Sequence, residues 1–483
     1  MIEYRPQATA LFHIALLGFP VLAVILFSVL PARRAVIWCT LISALFLPES
    51  GYGIKGLPEY SKYSALSAVL LASIILDGGR PLRVRPSWLD IPIVLWCLGR
   101  LATSLSNGLG AYDGLSVSLD EVVTFGLPYW LGRTYFSTVD ELRDLARGMV
   151  IGGLLYLPLC LYEIRFSPQL HSRVYGFMTV AFYMILRYDG FRPMVFMDSS
   201  LQVAMWMSAA TVICWWLAFS GAIKRVMGVP TKWLAVALFI TTLLCKARGS
   251  LALAIVGIAL FHATRAWRSA LPLTLLLLLV AAYPALRGLG VLDAERIKSV
   301  ASIAFDEQRT ASLGVRLRSE DMYIDHTAQR PLLGWGGYGR GEVIVDGERS
   351  IPDGLWVIAL SRAGWIAVTS LIGLYLIPAL LLIRRIPARR WTSAEFAPVA
   401  VIPVVMVLYW VDCMSNAMVT PVLVVAMGAA TSWFAKKQPG PALAAPTPEP
   451  VSTPPDEKPR AAASLARSLI ERRNGRRPPP SAP

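Results

Sequence analysis

The side chains best suited to chemistry lie in one polar segment, residues 316–364, which stands between two long apolar stretches. This segment contains Arg316 and Arg340, and it contains Asp353 just ahead of an apolar run. Guanidinium groups bind phosphate oxygens through two parallel hydrogen bonds, and a positioned carboxylate accepts a proton from an attacking hydroxyl. The segment therefore predicts a site for a phosphorylated substrate, with Arg316 as a ligand and Asp353 as the candidate base.

Two further arginines, Arg192 and Arg248, lie in short polar stretches between apolar runs. An arginine at the centre of a membrane helix costs roughly 2.5–3.5 kcal/mol, so an interface where the side chain reaches water is its usual place. This explanation accounts for a single arginine. It is weaker for Arg192, Arg248, Arg316 and Arg340 together, because all four lie on the side opposite the basic loops described below. We predict that Arg192, Arg248 and Arg316 bind a lipid diphosphate, with Arg340 as a further ligand.

Asp353 has a second interpretation, because aspartate is a preferred N-cap and complements the dipole of the helix that follows it. Three other polar residues lie near the same predicted boundaries and are secondary candidates. Glu163 and Asp412 would pair with the arginines or accept hydrogen bonds from sugar hydroxyls, and Tyr338 lies within the glycine-dense stretch 334–339.

Other kinds of site find little support in the sequence. The stretch 334–339 satisfies G-x-G-x-x-G, but no βαβ pattern surrounds it, so its glycines predict tight turns and close approach of the backbone to a ligand or to the bilayer surface. The chain has no G-x-x-x-x-G-K-[ST] motif and no Asp-x-Asp. Its four histidines have no metal-binding spacing, and its six cysteines lie singly in or beside apolar stretches, where packing is their expected role. We predict no metal and no cofactor.

The elements that must position these residues are membrane helices. Of the 483 residues, 55% are hydrophobic and 16% are charged, against about 25% charged in soluble domains. Apolar runs near the roughly twenty residues that cross a bilayer recur up to about residue 436. We predict an all-α polytopic membrane protein with about 12–13 transmembrane helices and one large periplasmic loop that contains short helices. The predicted segments are 10–30, 35–48, 64–78, 88–104, 119–134, 147–163, 198–220, 231–245, 248–265, 269–288, 352–383, 395–413 and 417–435.

The basic residues predict which ends of these helices face the cytoplasm. The net charge of +15 is spread over short loops at alternate helix boundaries, which favours the positive-inside rule over nucleic-acid binding. The segments 165–197, 246–249 and 290–352 then share the opposite, periplasmic face. The C-terminus is predicted inside and the N-terminus outside. Arg5 contradicts the N-terminal assignment, which reverses if one short segment does not span.

Composition divides the chain into a transmembrane domain, 1–436, with the large loop 289–351 inside it, and a tail, 437–483. The tail is rich in proline and alanine, and we predict that it is disordered and cytoplasmic. Its residues 460–473 suit a short helix on anionic lipid. A soluble basic tail is the simpler interpretation.

In their order and context, these residues resemble the O-antigen ligase and polymerase superfamily of bacterial inner-membrane proteins. The resemblance covers about residues 190–365 and rests on the turn Arg248-Gly249, on Arg316 in a long loop, on Pro331-Leu332-Leu333-Gly334-Trp335-Gly336, and on the stretch from Asp353 to Gly364. Ligases of this superfamily typically carry a histidine where this chain has Asp353. That difference puts ligase activity in doubt and leaves a polymerase open.

The resemblance implies metal-independent glycosyl transfer at the periplasmic face, with an undecaprenyl-diphosphate-linked oligosaccharide as substrate. It implies polymerisation of repeat units of an exopolysaccharide or O-antigen. Arg192, Arg248 and Arg316 would stabilise the leaving diphosphate, and Asp353 would take the acceptor's proton or orient its hydroxyl. The implied partners are the lipid bilayer and a chain-length regulator or export complex, without nucleic acid.

Three alternatives remain open from the sequence. The first is a ligase that moves finished glycan to a surface acceptor. The second is a flippase or other transporter of lipid-linked oligosaccharide, which predicts ionisable residues deep in the helices and related halves. The third is an inactive scaffold of an export complex. Polar residues gathered at one face favour an interfacial enzyme.

Overall fold

The computed structural model describes residues 8–53, 57–187, 190–304, 307–345, 348–350 and 352–436. This part of the chain is mostly helical, as predicted. Its strands form two-residue antiparallel pairs: β1 (Leu186–Arg187) with β2 (Gly190–Phe191), β3 (Arg225–Val226) with β4 (Val229–Pro230), and β5 (Ile344–Val345) with β6 (Glu348–Arg349). Arg5 and the tail 437–483, including the suggested helix at 460–473, lie outside the described residues.

The helices follow one another along the chain, many with short connections. They are α1 (Ala10–Val29), α2 (Ala32–Phe46), α3 (Leu66–Leu76), α4 (Ile91–Ser106), α5 (Gly110–Glu121), α6 (Leu127–Tyr135), α7 (Val139–Phe166), α8 (Leu170–Tyr175), α9 (Ser200–Phe219), α10 (Thr231–Leu244), α11 (Arg248–Trp267), α12 (Leu271–Gly288), α13 (Ala294–Ala304), α14 (Glu307–Thr327), α15 (Leu355–Arg385), α16 (Ala388–Trp391), α17 (Ala397–Cys413) and α18 (Pro421–Ala435). Longer segments separate α2 from α3, α8 from α9 and α14 from α15. A π-helical turn, Val122–Gly126, joins α5 to α6. The predicted large loop contains α13 and α14, of which α14 is 21 residues long.

Seven helical stretches of the described chain are long and apolar enough to cross a membrane: Ala10–Val29, Trp88–Ser106, Val139–Phe166, Ser200–Phe219, Arg248–Trp267, Leu271–Gly288 and Leu355–Arg385. Four shorter apolar helices accompany them: Leu66–Leu76, Thr231–Leu244, Ala397–Cys413 and Pro421–Ala435. Every one of the thirteen segments predicted from the sequence overlaps a helix. The prediction of a helical multi-pass membrane protein is confirmed at this level.

Burial separates central helices from peripheral ones. Most residues of α9 and nearly all of α17 are buried, and these two helices pack against each other. Peripheral helices instead expose large apolar side chains, such as Leu17 and Val21 of α1 and Leu279 of α12. A soluble surface rarely carries such continuous apolar faces. Contact with lipid tails explains them.

The long helix α15 is interrupted close to the predicted site. Ala363 and Gly364 have non-helical backbone angles, and Gly364 has φ +65°. The motif segment 331–336 fills this break: the amides of Trp335 and Gly336 donate to the carbonyls of Ser361 and Arg362, and the amides of Trp365 and Ile366 donate to those of Pro331 and Leu332. Groups that a broken helix would leave unpaired are thereby satisfied. The glycine-rich motif is therefore anchored to a membrane helix.

Candidate functional site

The structure brings Arg316, Asp353 and Asp412 together at one end of the helices. Arg316 Nε lies 3.1 Å from Asp353 Oδ2, and Arg316 Nη1 donates to the carbonyl of Ser415 at 3.4 Å. The Arg316 guanidinium also acts electrostatically on the carboxylate of Asp412. We call Arg316, Asp353, Asp412 and Asn416 the Arg316 cluster. Three separate parts of the sequence thus contribute to one charged group of side chains.

Asp412 supplies an unused acceptor within the Arg316 cluster. The residue is 6% exposed, and its Oδ1 accepts a hydrogen bond of 3.0 Å from Asn416 Nδ2. Its Oδ2 is buried and has no hydrogen-bond partner among the described residues. A buried carboxylate oxygen without a partner is costly in a folded protein, so Asp412 Oδ2 is a candidate acceptor for a hydrogen bond from a hydroxyl.

The interpretation of Asp353 as a helix cap is wrong. The N-cap residue of α15 is Gly354, one residue after Asp353. The start of α15 is instead tied to the turn after α17, because the amide of Leu355 donates to the carbonyl of Asn416 at 3.0 Å. The carboxylate of Asp353 is therefore left to face Arg316.

A buried arginine fixes α14, the helix that carries Arg316. The side chain of Arg287 in α12 is fully buried, and it lies 3.2 Å from Glu320 and 2.8 Å from Asp321. It also donates to the carbonyl of Leu317. Burial raises the pKa of Glu320, and the positive charge of Arg287 opposes that rise. Because Glu320 lies one helical turn from Arg316, this anchor orients the Arg316 side chain.

Arg340 has another partner, which the sequence reasoning missed. It forms a bidentate ion pair with Asp113 of α5. Arg340 Nη2 lies 2.8 Å from Asp113 Oδ1, and Arg340 Nη1 lies 3.1 Å from Asp113 Oδ2. The hydrogen bonds from Arg340 lower the pKa of Asp113. Tyr338 lies beside Arg340, with the ring centroid 5.6 Å from the guanidinium carbon, and its hydroxyl is 3.4 Å from that of Ser116. The structure therefore joins Arg340 and Tyr338 to α5.

Glu163 holds the backbone of the segment that carries Arg192. The Glu163 carboxylate is buried near the end of α7 and accepts hydrogen bonds from the amides of Leu170, Met194 and Val195, at 2.9, 2.7 and 2.7 Å. Arg192 itself is buried, and its amide donates to the carbonyl of Ile185. Glu163 thus orders the chain two residues after Arg192.

Arg248 is the first residue of α11 and is exposed. It follows a tight turn in which Lys246 has φ +54°. This agrees with the predicted polar turn between two apolar helices. The helix α11 packs against α9 and α17. Asp412 lies near the C-terminal end of α17, just before the 414–416 turn.

A cavity of about 380 Å³ adjoins the Arg316 cluster and was missed from the sequence. Its wall combines the side chains of Tyr323, Glu342, Ser361 and Arg362 with the backbone of three glycines, and it includes Pro352, the neighbour of Asp353. The volume lies within the range of small-molecule sites. Its acceptors, donors and aromatic ring suit a polyhydroxylated ligand. The one signal in the sequence was the pair Ser361-Arg362 inside an otherwise apolar run.

A second missed feature lies beside this cavity. Arg100 of α4 is buried and pairs with Glu121 at 3.0 Å, and the indole of Trp96 donates to the same carboxylate at 2.8 Å. Arg362 interacts electrostatically with both members of the pair. Glu121 immediately precedes the π-helical turn, a distortion that is frequent at functional sites. Charged groups therefore extend from the cavity into the helical bundle.

The cysteines and histidines show no arrangement for chemistry. All six cysteines are unpaired and buried, as expected for packing residues. Among the described residues, no group of three His, Cys, Asp or Glu side chains is placed to hold a metal ion. The absence of a metal and of a cofactor remains a prediction from the sequence.

Comparison with known proteins assigns the chain to no family. No protein-family model matches it. No curated protein matches it either. The family resemblance of residues 190–365 therefore stays a prediction, and the case for a function rests on the Arg316 cluster and the adjoining cavity.

Proposed function

We propose that this protein transfers a glycan from undecaprenyl diphosphate at the membrane face that carries the Arg316 cluster, and that it polymerises repeat units of an exopolysaccharide or O-antigen. The proposed location is the periplasmic face of a bacterial inner membrane. One observation carries the proposal: Arg316 and Asp353 are 3.1 Å apart at the end of a set of membrane helices. A cation for a leaving diphosphate and a carboxylate for an acceptor hydroxyl are thus adjacent.

The Arg316–Asp353 pair is easily exchanged for a substrate contact. The two side chains are 38% and 44% exposed, and an ion pair of this exposure stabilises a fold by at most about 1 kcal/mol. A diphosphate presents several oxygens to the guanidinium and forms shorter, charge-assisted hydrogen bonds. Binding of the donor therefore moves Arg316 onto the diphosphate and frees Asp353.

The reaction then proceeds by displacement at the anomeric carbon of the donor glycan. The acceptor oxygen forms the new bond to that carbon, its proton passes to Asp353, and the electron pair of the broken C–O bond remains on the diphosphate. Arg316 stabilises the negative charge that develops there. Arg192 and Arg248 are proposed as additional ligands of the diphosphate.

The adjoining cavity is the proposed acceptor subsite. Glu342, Ser361 and Arg362 offer hydrogen bonds to sugar hydroxyls, and Tyr323 offers an aromatic ring. Pro352 lines this cavity and is bonded to Asp353, so an acceptor hydroxyl at its mouth is near the proposed base. Asp412 Oδ2 is the proposed acceptor for a hydroxyl of the donor sugar. Arg340 is assigned a positioning role, because Asp113 already neutralises its charge.

Arg316→Ala tests the proposal, with Arg318→Ala as the matched control. Arg318 lies two residues further along α14, is exposed and lines a different cavity. Removing one preorganised donor costs roughly 10²–10³ in rate. At equal membrane levels, cells with Arg316→Ala should therefore hold single repeat units on the carrier lipid and lack long chains, whereas Arg318→Ala should keep the normal size distribution of polysaccharide.

Other outcomes assign other functions. Long chains that accumulate on undecaprenyl diphosphate would identify a ligase. Repeat units that accumulate only on the cytoplasmic leaflet, where an impermeant reagent added outside cannot reach them, would identify a transporter. An unchanged size distribution in Arg316→Ala would rule out the proposed role of the Arg316 cluster.

A further inference from the structure

A second polar cavity lies near the N-terminal end of α7, whereas Glu163 lies near the C-terminal end of that helix. The cavity has a volume of about 280 Å³ and lies between the beginning of α2 and the early part of α7. Its lining comprises Arg34, Ile37, Trp38, Leu41, Asp144, Arg147, Gly148 and Ile151. The connecting segments on this side were predicted cytoplasmic from their basic residues. The cavity contributes no residue to the Arg316 cluster.

Two arginines of this cavity carry uncompensated charge. The neighbouring acids are engaged elsewhere: Arg33 lies 2.7 Å from Asp144 and 3.9 Å from Glu141. Glu141 also pairs with Arg80 at 3.6 Å. In the described chain, by contrast, no acid and no hydrogen-bond acceptor engages the guanidinium group of Arg34 or Arg147, and both side chains are exposed. The cavity therefore presents net positive charge.

The rest of the cavity lining is largely apolar. Ile37, Leu41 and Ile151 contribute aliphatic surface, and Trp38 contributes an aromatic ring of the kind that is enriched at membrane interfaces. Gly148 lets α2 approach α7 closely, since a Cβ atom there would lie 2.5 Å from a methyl group of Ile37. The exposed guanidinium groups of Arg34 and Arg147 thus border a mainly apolar cavity between α2 and α7.

We propose that this cavity binds one anionic phospholipid, with its phosphate between Arg34 and Arg147 and the beginning of its acyl chains along Ile37 and Leu41. Basic pockets between membrane helices suit anionic headgroups, and guanidinium groups favour phosphate. A free phosphate ion would use the cations alone. A phospholipid uses the cations and the apolar wall, so the combination selects the lipid.

The test compares lipid retention by variants of the full-length protein in nanodiscs of phosphatidylglycerol and phosphatidylethanolamine, with retained lipid counted by native mass spectrometry. The double variant Arg34→Gln, Arg147→Gln should retain phosphatidylglycerol roughly 30-fold less tightly, since each basic residue near an anionic surface contributes about 1 kcal/mol and about 1.4 kcal/mol is tenfold. Arg143→Gln is the control, because Arg143 lies on the same helix and pairs with Asp140 outside the cavity lining.

Three results would overturn the proposal. They are equal retention by the double variant and the native protein, retention of phosphatidylethanolamine as tight as that of phosphatidylglycerol, and displacement of the lipid by an equal concentration of inorganic phosphate. The variant Arg34→Lys, Arg147→Lys keeps both charges and should retain most of the lipid. It separates the loss of charge from a failure to fold.

Discussion

The contact between Arg316 and Asp353 joins two residues that the sequence already singled out. Their types and order in the chain were sufficient to propose a phosphate ligand and a base. Their distance was not predictable, because α14 and the start of α15 meet through Arg287, Glu320 and the 414–416 turn. Nothing in the sequence of the polar segment points to Arg287 or to the 414–416 turn.

Asp353→Asn should abolish most of the transfer activity without unfolding the protein. The amide cannot accept the acceptor's proton, and general-base assistance is worth roughly 10²–10⁴ in rate. The folded state should lose at most about 1 kcal/mol, because the ion pair with Arg316 is half exposed. Chain elongation on purified lipid-linked repeat units in proteoliposomes measures the rate, and Asp353→Glu should recover part of it. Equal rates for the native protein and Asp353→Asn would leave Asp353 only as a partner of Arg316.

Glu163→Gln should lower stability rather than chemistry. Three backbone amides donate to the Glu163 carboxylate. In Glu163→Gln, the side-chain NH₂ group replaces one carboxylate oxygen and points its N–H donors at backbone N–H donors. A buried polar group left without a partner costs about 1–3 kcal/mol. We expect a lower Tm in thermal unfolding and little change in activity per folded molecule. Glu295→Gln, at an exposed position of α13, is the control, and a Tm drop of equal size there would contradict this role of Glu163.

At the scale of elements, apolar runs were sufficient to place the helices, and the break in α15 was not predictable. No proline marks residues 363–364, and apart from Ser361 and Arg362 the run on either side is apolar. The glycines of 334–336 correctly indicated tight turns and close approach. The backbone of 335–336 approaches a membrane helix closely, and Gly336 also lines the cavity of about 380 Å³. The pair Arg340–Asp113 spans 227 positions of the chain, a separation over which local patterns carry no information.

Gly364→Ala should destabilise the docked motif. The residue has φ +65°, and a Cβ atom there would lie 2.3 Å from the carbonyl of Leu332. Overpacking of this kind costs about 1–3 kcal/mol, and the left-handed backbone adds strain. Thermal unfolding in detergent should show a lower Tm. Gly18→Ala, which adds a methyl group into open space on α1, should leave the Tm unchanged, and equal Tm values for both variants would contradict the docking geometry.

The Arg340–Asp113 pair predicts how the glycine-rich segment responds to pH. The pKa of Asp113 is lowered in the folded state by the hydrogen bonds from Arg340, so its stabilisation is complete above the unfolded value of about 3.9 and is lost as the pH falls through the folded value. Protection of the amides 336–342 against hydrogen exchange, corrected for intrinsic rates, should stay constant between pH 8 and pH 5. Asp113→Asn should reduce protection throughout that range. A change in the native protein between pH 5 and pH 8 would contradict this assignment.

At the scale of the molecule, the connecting segments fall into two groups by their contacts. One group contains the pairs Arg316–Asp353 and Arg340–Asp113. The other contains Arg33–Asp144 and the hydrogen bond from Lys436 to Ser137. The contacts of the second group join segments that the basic residues had assigned to the same side of the membrane, whereas no side had been assigned to the segment that carries Asp113. Which group faces the cytoplasm stays a prediction from charge.

The seating of residues 331–336 in the break of α15 limits how the large loop can move. Lifting the segment away would break four backbone hydrogen bonds, and a buried backbone group left without a partner costs about 1–3 kcal/mol. This part of the large loop is therefore fixed to α15. Under the proposed function, the carrier lipid would enter from the side, through the bilayer, and the lengthening glycan would leave along the large loop.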